Sequence, residues 1–98
     1  MKVDFHPGAT QDFMEALKHY VAIRPELGER FVQEVKVAIA KIERNATGWR
    51  AVRGVVRRVS TSVFPYALLY VVEGEIANVL AVSHSSRRPD YWHDRQRE

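Results

Sequence analysis

The side chains best suited to chemistry in this sequence are arginines that lie in its second half. Residues 44–72 include five arginines and no aspartate or glutamate. These five are Arg44, Arg50, Arg53, Arg57 and Arg58. A local excess of positive charge attracts phosphate groups or an acidic segment of another protein. The alternative interpretation, a solvated face of a strand, stays open at this stage.

A second group of reactive side chains lies near the C-terminus. It consists of His84, Arg87, Arg88 and Tyr91, with Trp92 beside them. A histidine that titrates near neutral pH, guanidinium groups and a phenol could together move protons and hold a phosphate. The candidate catalytic set is therefore Arg57, Arg58, His84, Arg87 and Tyr91. In the alternative interpretation, His84 only ends a strand, and Tyr91 and Trp92 only cover the core.

Other reactive patterns in the sequence carry less weight. The run at residues 83–86, Ser-His-Ser-Ser, places its histidine beside serines on a strand, where adjacent side chains point apart. The four histidines do not have the spacing of metal ligands, and the sequence has no cysteine and no glycine-rich phosphate loop. The sequence therefore predicts neither a metal site nor a cofactor.

The first half of the chain predicts a strand followed by two helices. Residues 2–6 alternate between apolar and polar side chains, as in a short strand. Two apolar stripes at helical spacing follow, and Pro25 separates them because proline cannot continue a helix interior. The stripes are Phe13, Ala16, Leu17, Tyr20 and Val21, then Leu27, Phe31, Val35, Ala38, Ile39 and Ile42. Such a helical hairpin needs a sheet to cover both stripes.

The second half predicts three strands that lie at about residues 52–59, 64–72 and 76–83. Alternation places Arg57 and Arg58 on opposite faces of the first of them. It also places Phe64, Tyr66, Leu68 and Tyr70 on one face of the second. In the third, it separates Ile76, Asn78, Leu80 and Val82 from Ala77, Val79 and Ala81. The order β-α-α-β-β-β predicts one α+β domain over residues 1–98, with a mobile tail at about 93–98.

Composition restricts the class of protein further. The chain has 98 residues, 46% of them hydrophobic, and a formal net charge of +3. These values are typical of one small globular domain. The N-terminus lacks the apolar region of a signal peptide, and no apolar run approaches the roughly 20 residues of a spanning helix. The sequence therefore predicts a cytoplasmic protein with no membrane contact.

Five segments in order resemble the RelE/ParE toxin superfamily of type II toxin–antitoxin and plasmid-stabilisation systems. They are PELGERF at 25–31, VRRV at 56–59, FPYALLY at 64–70, VLAVSH at 79–84 and RRPDYW at 87–92. The resemblance implies a bacterial or archaeal toxin that is neutralised by a cognate antitoxin. It also implies a helical hairpin packed on a twisted antiparallel sheet.

The superfamily divides by target, and one residue favours a branch. RelE-like members are ribosome-dependent endoribonucleases that cleave mRNA, and they resemble one another in an arginine before a Leu-Val-Tyr-like stretch of the third strand. Here that position is Ala67, which can neither hold a phosphate nor move a proton. The chain is therefore closer to the ParE-like branch, whose members bind DNA gyrase and are not nucleases.

Three interpretations follow from the resemblance. The preferred one is a gyrase-binding toxin without catalysis, and its candidate target or nucleic-acid contacts are Arg53, Arg57, Arg58, Arg87, Arg88, Tyr91 and Trp92. The second is a ribosome-dependent mRNA endoribonuclease that uses the candidate catalytic set. The third is an inactive regulatory member that only binds its antitoxin. In each case operator DNA is contacted only through the antitoxin complex.

Overall fold

The computed structural model describes residues 1–97, which form a helical layer and a five-stranded sheet. The helices are α1 (Pro7–Ile23) and α2 (Pro25–Asn45). The strands are β1 (Lys2–Phe5), β2 (Ala51–Arg53), β3 (Val56–Ser60), β4 (Tyr66–Glu73) and β5 (Ile76–His84). A short 3-10 helix, His93–Arg97, follows them. The predicted α+β class and the helical hairpin are confirmed.

The helical hairpin begins and turns at prolines. The Nδ1 atom of His6 accepts a hydrogen bond from the amide of Gly8, and Pro7 occupies the first turn of α1. Arg24 separates the helices with an extended backbone, because the residue before a proline is disfavoured in the helical region. The predicted break at Pro25 is therefore confirmed.

The sheet has the order β1-β5-β4-β3-β2 and is mixed. β1 pairs in parallel with β5, whereas the other neighbouring strands are antiparallel. The predicted antiparallel sheet is confirmed for β2 to β5, whereas the pairing of β1 is parallel and departs from that prediction. The chain leaves β1 into the helices and returns to its side only with the last strand, and local alternation carries no information about such a distant pairing.

The segment predicted as one strand at 52–59 is two strands joined by a tight turn. Gly54 has a φ of +55°, a conformation that glycine adopts without steric cost. The turn reverses the chain, so β2 forms the outer edge of the sheet beside β3. The β-branched residues on both sides of Gly54 concealed this turn in the sequence pattern.

A β-bulge changes the predicted faces of β5. Leu69 pairs with Ala81 and Tyr70 pairs with Val79, so Leu80 is an extra residue opposite this step. Val79 and Val82 pack in the helix-side core, whereas Leu80 and Ala81 pack on the opposite face. The predicted alternation is therefore wrong beyond Leu80, because one inserted residue exchanges the two faces.

Other parts of the chain cover each face of the sheet in part. The helices cover one face, where four aromatic side chains pack together: Tyr20, Phe31, Phe64 and Tyr66. On the other face, Trp92 is 5% exposed and packs with residues of β3, β4 and β5. Two covered faces explain why β4 and β5 are nearly continuous apolar runs. The interpretation of Trp92 as a core cover is confirmed.

The C-terminal segment is anchored to the helical layer. Arg95, in the 3-10 helix, forms an ion pair with Asp12 of α1. The mobility expected for residues 93–98 stays a prediction, and residue 98 lies outside the described residues. Within residues 1–97, the structure has no helix long and apolar enough to cross a membrane.

Candidate binding site

A cleft of about 390 Å³ lies on the sheet face opposite the helices, between the strands and the segment that follows β5. Six of the residues singled out from the sequence line it. They are Arg53, Arg58, His84, Arg87, Arg88 and Trp92. The fold therefore brings the arginine-rich strands and the C-terminal cluster together, although Arg57 and Tyr91 are not among the lining residues.

Arg57 and Arg58 lie on opposite faces of β3, as the alternation predicts. Arg58 is exposed and lines the cleft. Arg57 is half-buried, and its Nη1 atom donates a hydrogen bond to the backbone carbonyl of Trp49 at 2.7 Å. Arg57 therefore fixes the segment that enters β2, and only Arg58 is presented to a ligand in the cleft.

Small residues form the floor of the cleft. Ala67 of β4 pairs with Ser83 of β5, and both side chains line the cavity. Ala67 is 4% exposed and carries no charge, so it contributes only a methyl group to the lining of the cleft. A guanidinium at this position would fill part of the cleft, and its absence leaves the charge at the walls.

His84 already uses one ring nitrogen within its own turn. Its Nδ1 atom accepts a hydrogen bond from the backbone amide of Ser86 at 2.9 Å, and the Ser86 hydroxyl lies at 2.8 Å. In the neutral ring the proton is therefore on Nε2, which then acts only as a donor. This arrangement disfavours His84 as the base that would activate a ribose hydroxyl.

The phenol of Tyr91 is tied to a buried carboxylate. Its hydroxyl donates to Asp12 Oδ2 at 2.9 Å. Burial, and then the neighbouring Asp12 charge, raise the pKa of Tyr91 to about 12. The guanidinium carbon of Arg87 lies 4.0 Å from the centre of the ring. Tyr91 therefore positions Arg87 at the cleft and is poorly suited to exchange protons near neutral pH.

Asp12 is the residue at the centre of this arrangement, and it was not among the candidate site residues predicted from the sequence. Its side chain is buried, and it accepts hydrogen bonds from Tyr91, Arg95 and the backbone amide of Val82. A signal was present, because Asp12 lies in the same buried row of α1 as Ala9 and Ala16. An acid in such a row needs partners from elsewhere in the fold.

The raised pKa of Tyr91 predicts a loss of stability at high pH. The folded state holds the proton more tightly than the unfolded chain, in which a tyrosine titrates near pH 10. The contribution of the Tyr91 phenol to the free energy of unfolding is complete below about pH 10 and disappears as the pH rises through about 12. We expect the difference in unfolding free energy between wild type and Tyr91→Phe to narrow from pH 9 to pH 12 in urea titrations. A difference that stays constant over this range would contradict the role given to the phenol.

Charge in the cleft is unbalanced. Asp90 is its one acidic lining residue among those described, and it forms an ion pair with Arg53. Within residues 1–97, neither Arg58 nor Arg88 has an acidic partner. The same range contains no cluster of histidines and acids that could hold a metal ion. The arrangement is suited to binding an anion.

Comparison with known proteins gives two results. The family model described as "ParE toxin of type II toxin-antitoxin system, parDE" matches residues 3–89. A solved structure described as "Chromosomal ParDE TA system from P. aeruginosa" superimposes with a TM-score of 0.68 at 19% sequence identity, covering 86% of this chain and 95% of that chain. The structural likeness confirms the predicted fold. Comparison with curated proteins gives no significant match.

Proposed function

Because the chain belongs to the ParE toxin family of type II toxin–antitoxin systems, we propose that it inhibits DNA gyrase by binding and is neutralised by a cognate antitoxin. The observation that supports inhibition by binding alone is that the cleft, among the described residues, contains cations but no histidine or tyrosine free to exchange a proton. His84 Nδ1 is occupied by Ser86, and the phenol of Tyr91 is held by Asp12. Such a surface can hold a target, and it has no evident means of moving a proton.

The proposed target contacts are the exposed cations of the cleft, Arg53, Arg58, Arg87 and Arg88. Charged groups at the edge of an interface accelerate association, and those buried within it make charge-assisted hydrogen bonds. Trp92 supports this surface from beneath, since it is buried under the strands. Arg57 and Tyr91 were also predicted contacts, and in this proposal they act through the loop and the guanidinium that they position.

The antitoxin is proposed to dock on the helical hairpin. A groove on α1 is lined by Gln11, Met14, Glu15, Leu17, Lys18 and Val21. Met14 and Val21 are 54% and 45% exposed, and Ile23 near them in the chain is 56% exposed. An amphipathic helix places apolar side chains in such a groove. We expect its acidic residues to reach the basic sheet face, so that salt weakens the complex.

The test is DNA supercoiling by purified gyrase, titrated with this protein and then with its antitoxin. Inhibition, or accumulation of cleaved DNA, that the antitoxin reverses would support the proposal. The absence of an effect from folded protein at micromolar concentration would overturn it. Cleavage of ribosome-bound mRNA would then support the endoribonuclease alternative, for which Arg58, His84 and Arg87 share the cleft. Normal growth under strong induction would support an inactive member.

A further inference from the structure

A second cleft adjoins the first on the outer edge of the sheet. It has a volume of about 610 Å³. Its lining residues include Lys41 of α2 and Arg50 before β2. Arg58 and Val52 line both clefts, so the two form one continuous surface. We name its basic side chains the cationic track, which consists of Lys41, Arg50, Arg53, Arg58, Arg87 and Arg88.

The two clefts that hold the cationic track contain almost no acidic residues. Among the described residues, Asp90 is the one acid that lines either cleft. It pairs with Arg53, while Lys41 lies over the ring of Trp49 at 5.9 Å from its centre. Like charges held close together repel one another, and a ligand with several negative charges relieves that repulsion. A single carboxylate would neutralise only a small part of this surface.

We propose that the cationic track binds the phosphodiester backbone of duplex DNA directly, without an antitoxin. The two clefts meet at Arg58, which gives the track the extended form that a chain of phosphates requires. This contact is independent of sequence, because guanidinium and ammonium groups on phosphates position a protein without reading bases. It goes beyond the proposed inhibition of gyrase and does not require that enzyme.

The aromatic side chains near the track favour duplex over single-stranded DNA. Proteins that bind single strands stack the bases on exposed aromatic rings. Trp92 is 5% exposed, and Trp49 is covered by Lys41 and donates its indole N–H to the backbone carbonyl of the same residue. Trp49 lines the second cleft but is half-buried with Lys41 over its ring, and Trp92 offers almost no surface to a base. Within residues 1–97, neither cleft therefore presents a fully exposed indole ring on which a base could stack.

Asp90 acts as an internal competitor in this proposal. Its carboxylate holds Arg53, and its φ of +66° is uncommon for a residue other than glycine. A phosphate that binds Arg53 must displace this carboxylate. The Asp90→Asn variant is therefore expected to bind DNA several-fold more tightly than wild type, because it removes the competitor and one negative charge.

The test is fluorescence anisotropy of a labelled DNA duplex of arbitrary sequence, titrated with the purified protein alone at several salt concentrations. Each phosphate contact contributes about −0.9 to the slope of log K against log salt. The Lys41→Gln/Arg50→Gln variant should reduce the steepness of that slope by about 2 and weaken binding at 0.1 M salt by at least about tenfold. The Arg24→Gln/Lys36→Gln variant removes the same charge from exposed positions of the helical layer and should bind as wild type does.

Three results would overturn the proposal. One is an equal loss in both double variants, which would indicate general attraction by net charge. A second is tighter binding to a single strand of the same length. A third is displacement of the duplex by a polyglutamate peptide more readily than by unlabelled duplex, which would assign the track to an acidic protein segment. Gyrase is absent throughout, so failure here leaves the supercoiling result unaffected.

Discussion

The Asp12→Asn variant is expected to have an unfolding free energy about 3 kcal/mol below that of wild type, because removing one partner of a buried ion pair leaves the other charge uncompensated. The side chains of Asp12 and Arg95 are 5% and 19% exposed, and Arg95 Nη1 lies 2.7 Å from Asp12 Oδ2. A domain of this size is stable by only about 5–15 kcal/mol. The expected loss is thus a large fraction of the total free energy of unfolding.

The size of this effect follows from the position of the ion pair at the edge of β5. β1 covers β5 only as far as Val79. Beyond that point the carbonyl of Leu80 accepts from Arg95, and the amide of Val82 donates to Asp12. The two side chains therefore replace the hydrogen bonds of a missing strand. A buried backbone group left without a partner costs about 1–3 kcal/mol.

Urea denaturation of wild type and variants measures this prediction. Glu15→Gln is the matched control, since it makes the same chemical change on the exposed side of α1 and should alter stability by less than about 0.5 kcal/mol. The double variant Asp12→Asn/Arg95→Gln should lose less than the sum of the single variants, with a coupling of about 1–3 kcal/mol. A loss of under 1 kcal/mol for Asp12→Asn alone would show that the ion pair contributes little.

Local periodicity predicted the parts of the fold that local forces determine. The stripe through Phe31, Val35 and Ile42 gave α2 correctly, because every third or fourth residue of a helix faces the same side. The break at Pro25 depends on the proline ring and its neighbour alone. By contrast, the bulge at Leu80 and the parallel pairing of β1 depend on a partner strand, and no short sequence pattern records that partner.

The candidate site was predicted in the same uneven way. Arg53, Arg58, His84, Arg87 and Arg88 do meet in one cleft, as the interpretation of a basic strand beside a C-terminal cluster required. Arg50 belongs to the arginine-rich run but was not among the predicted contacts, and neither was Lys41, because the fold and not their spacing brings the two residues to the adjoining cleft. Asp12 escaped notice because its partners lie 70 to 83 residues away in the chain. The sequence shows chemical types, whereas their neighbours depend on tertiary structure.

The second large effect concerns the target. The Arg58→Glu/Arg88→Glu variant is expected to lose gyrase inhibition by about a thousandfold or more. A mispaired charge at the centre of an interface costs about 2–5 kcal/mol, and two independent ones at the lower limit give about 4 kcal/mol, which corresponds to that factor. Both side chains are exposed, and within residues 1–97 neither has an acidic partner, so the variant should fold as wild type does.

The control for this variant is Arg24→Glu/Lys36→Glu, which changes the net charge equally on the helical layer. Both proteins are titrated into the gyrase supercoiling reaction after thermal melts have shown them to be folded. Inhibition lost in the first variant and kept in the second would place the gyrase contact at the cleft. Inhibition retained in both variants would show that the gyrase contact lies outside the cleft. The exposed apolar side chains Met14 and Ile23 of α1 would then be the next to replace. An equal loss of inhibition in both variants would show that inhibition depends only on net charge, because long-range attraction does not depend on where a cation lies.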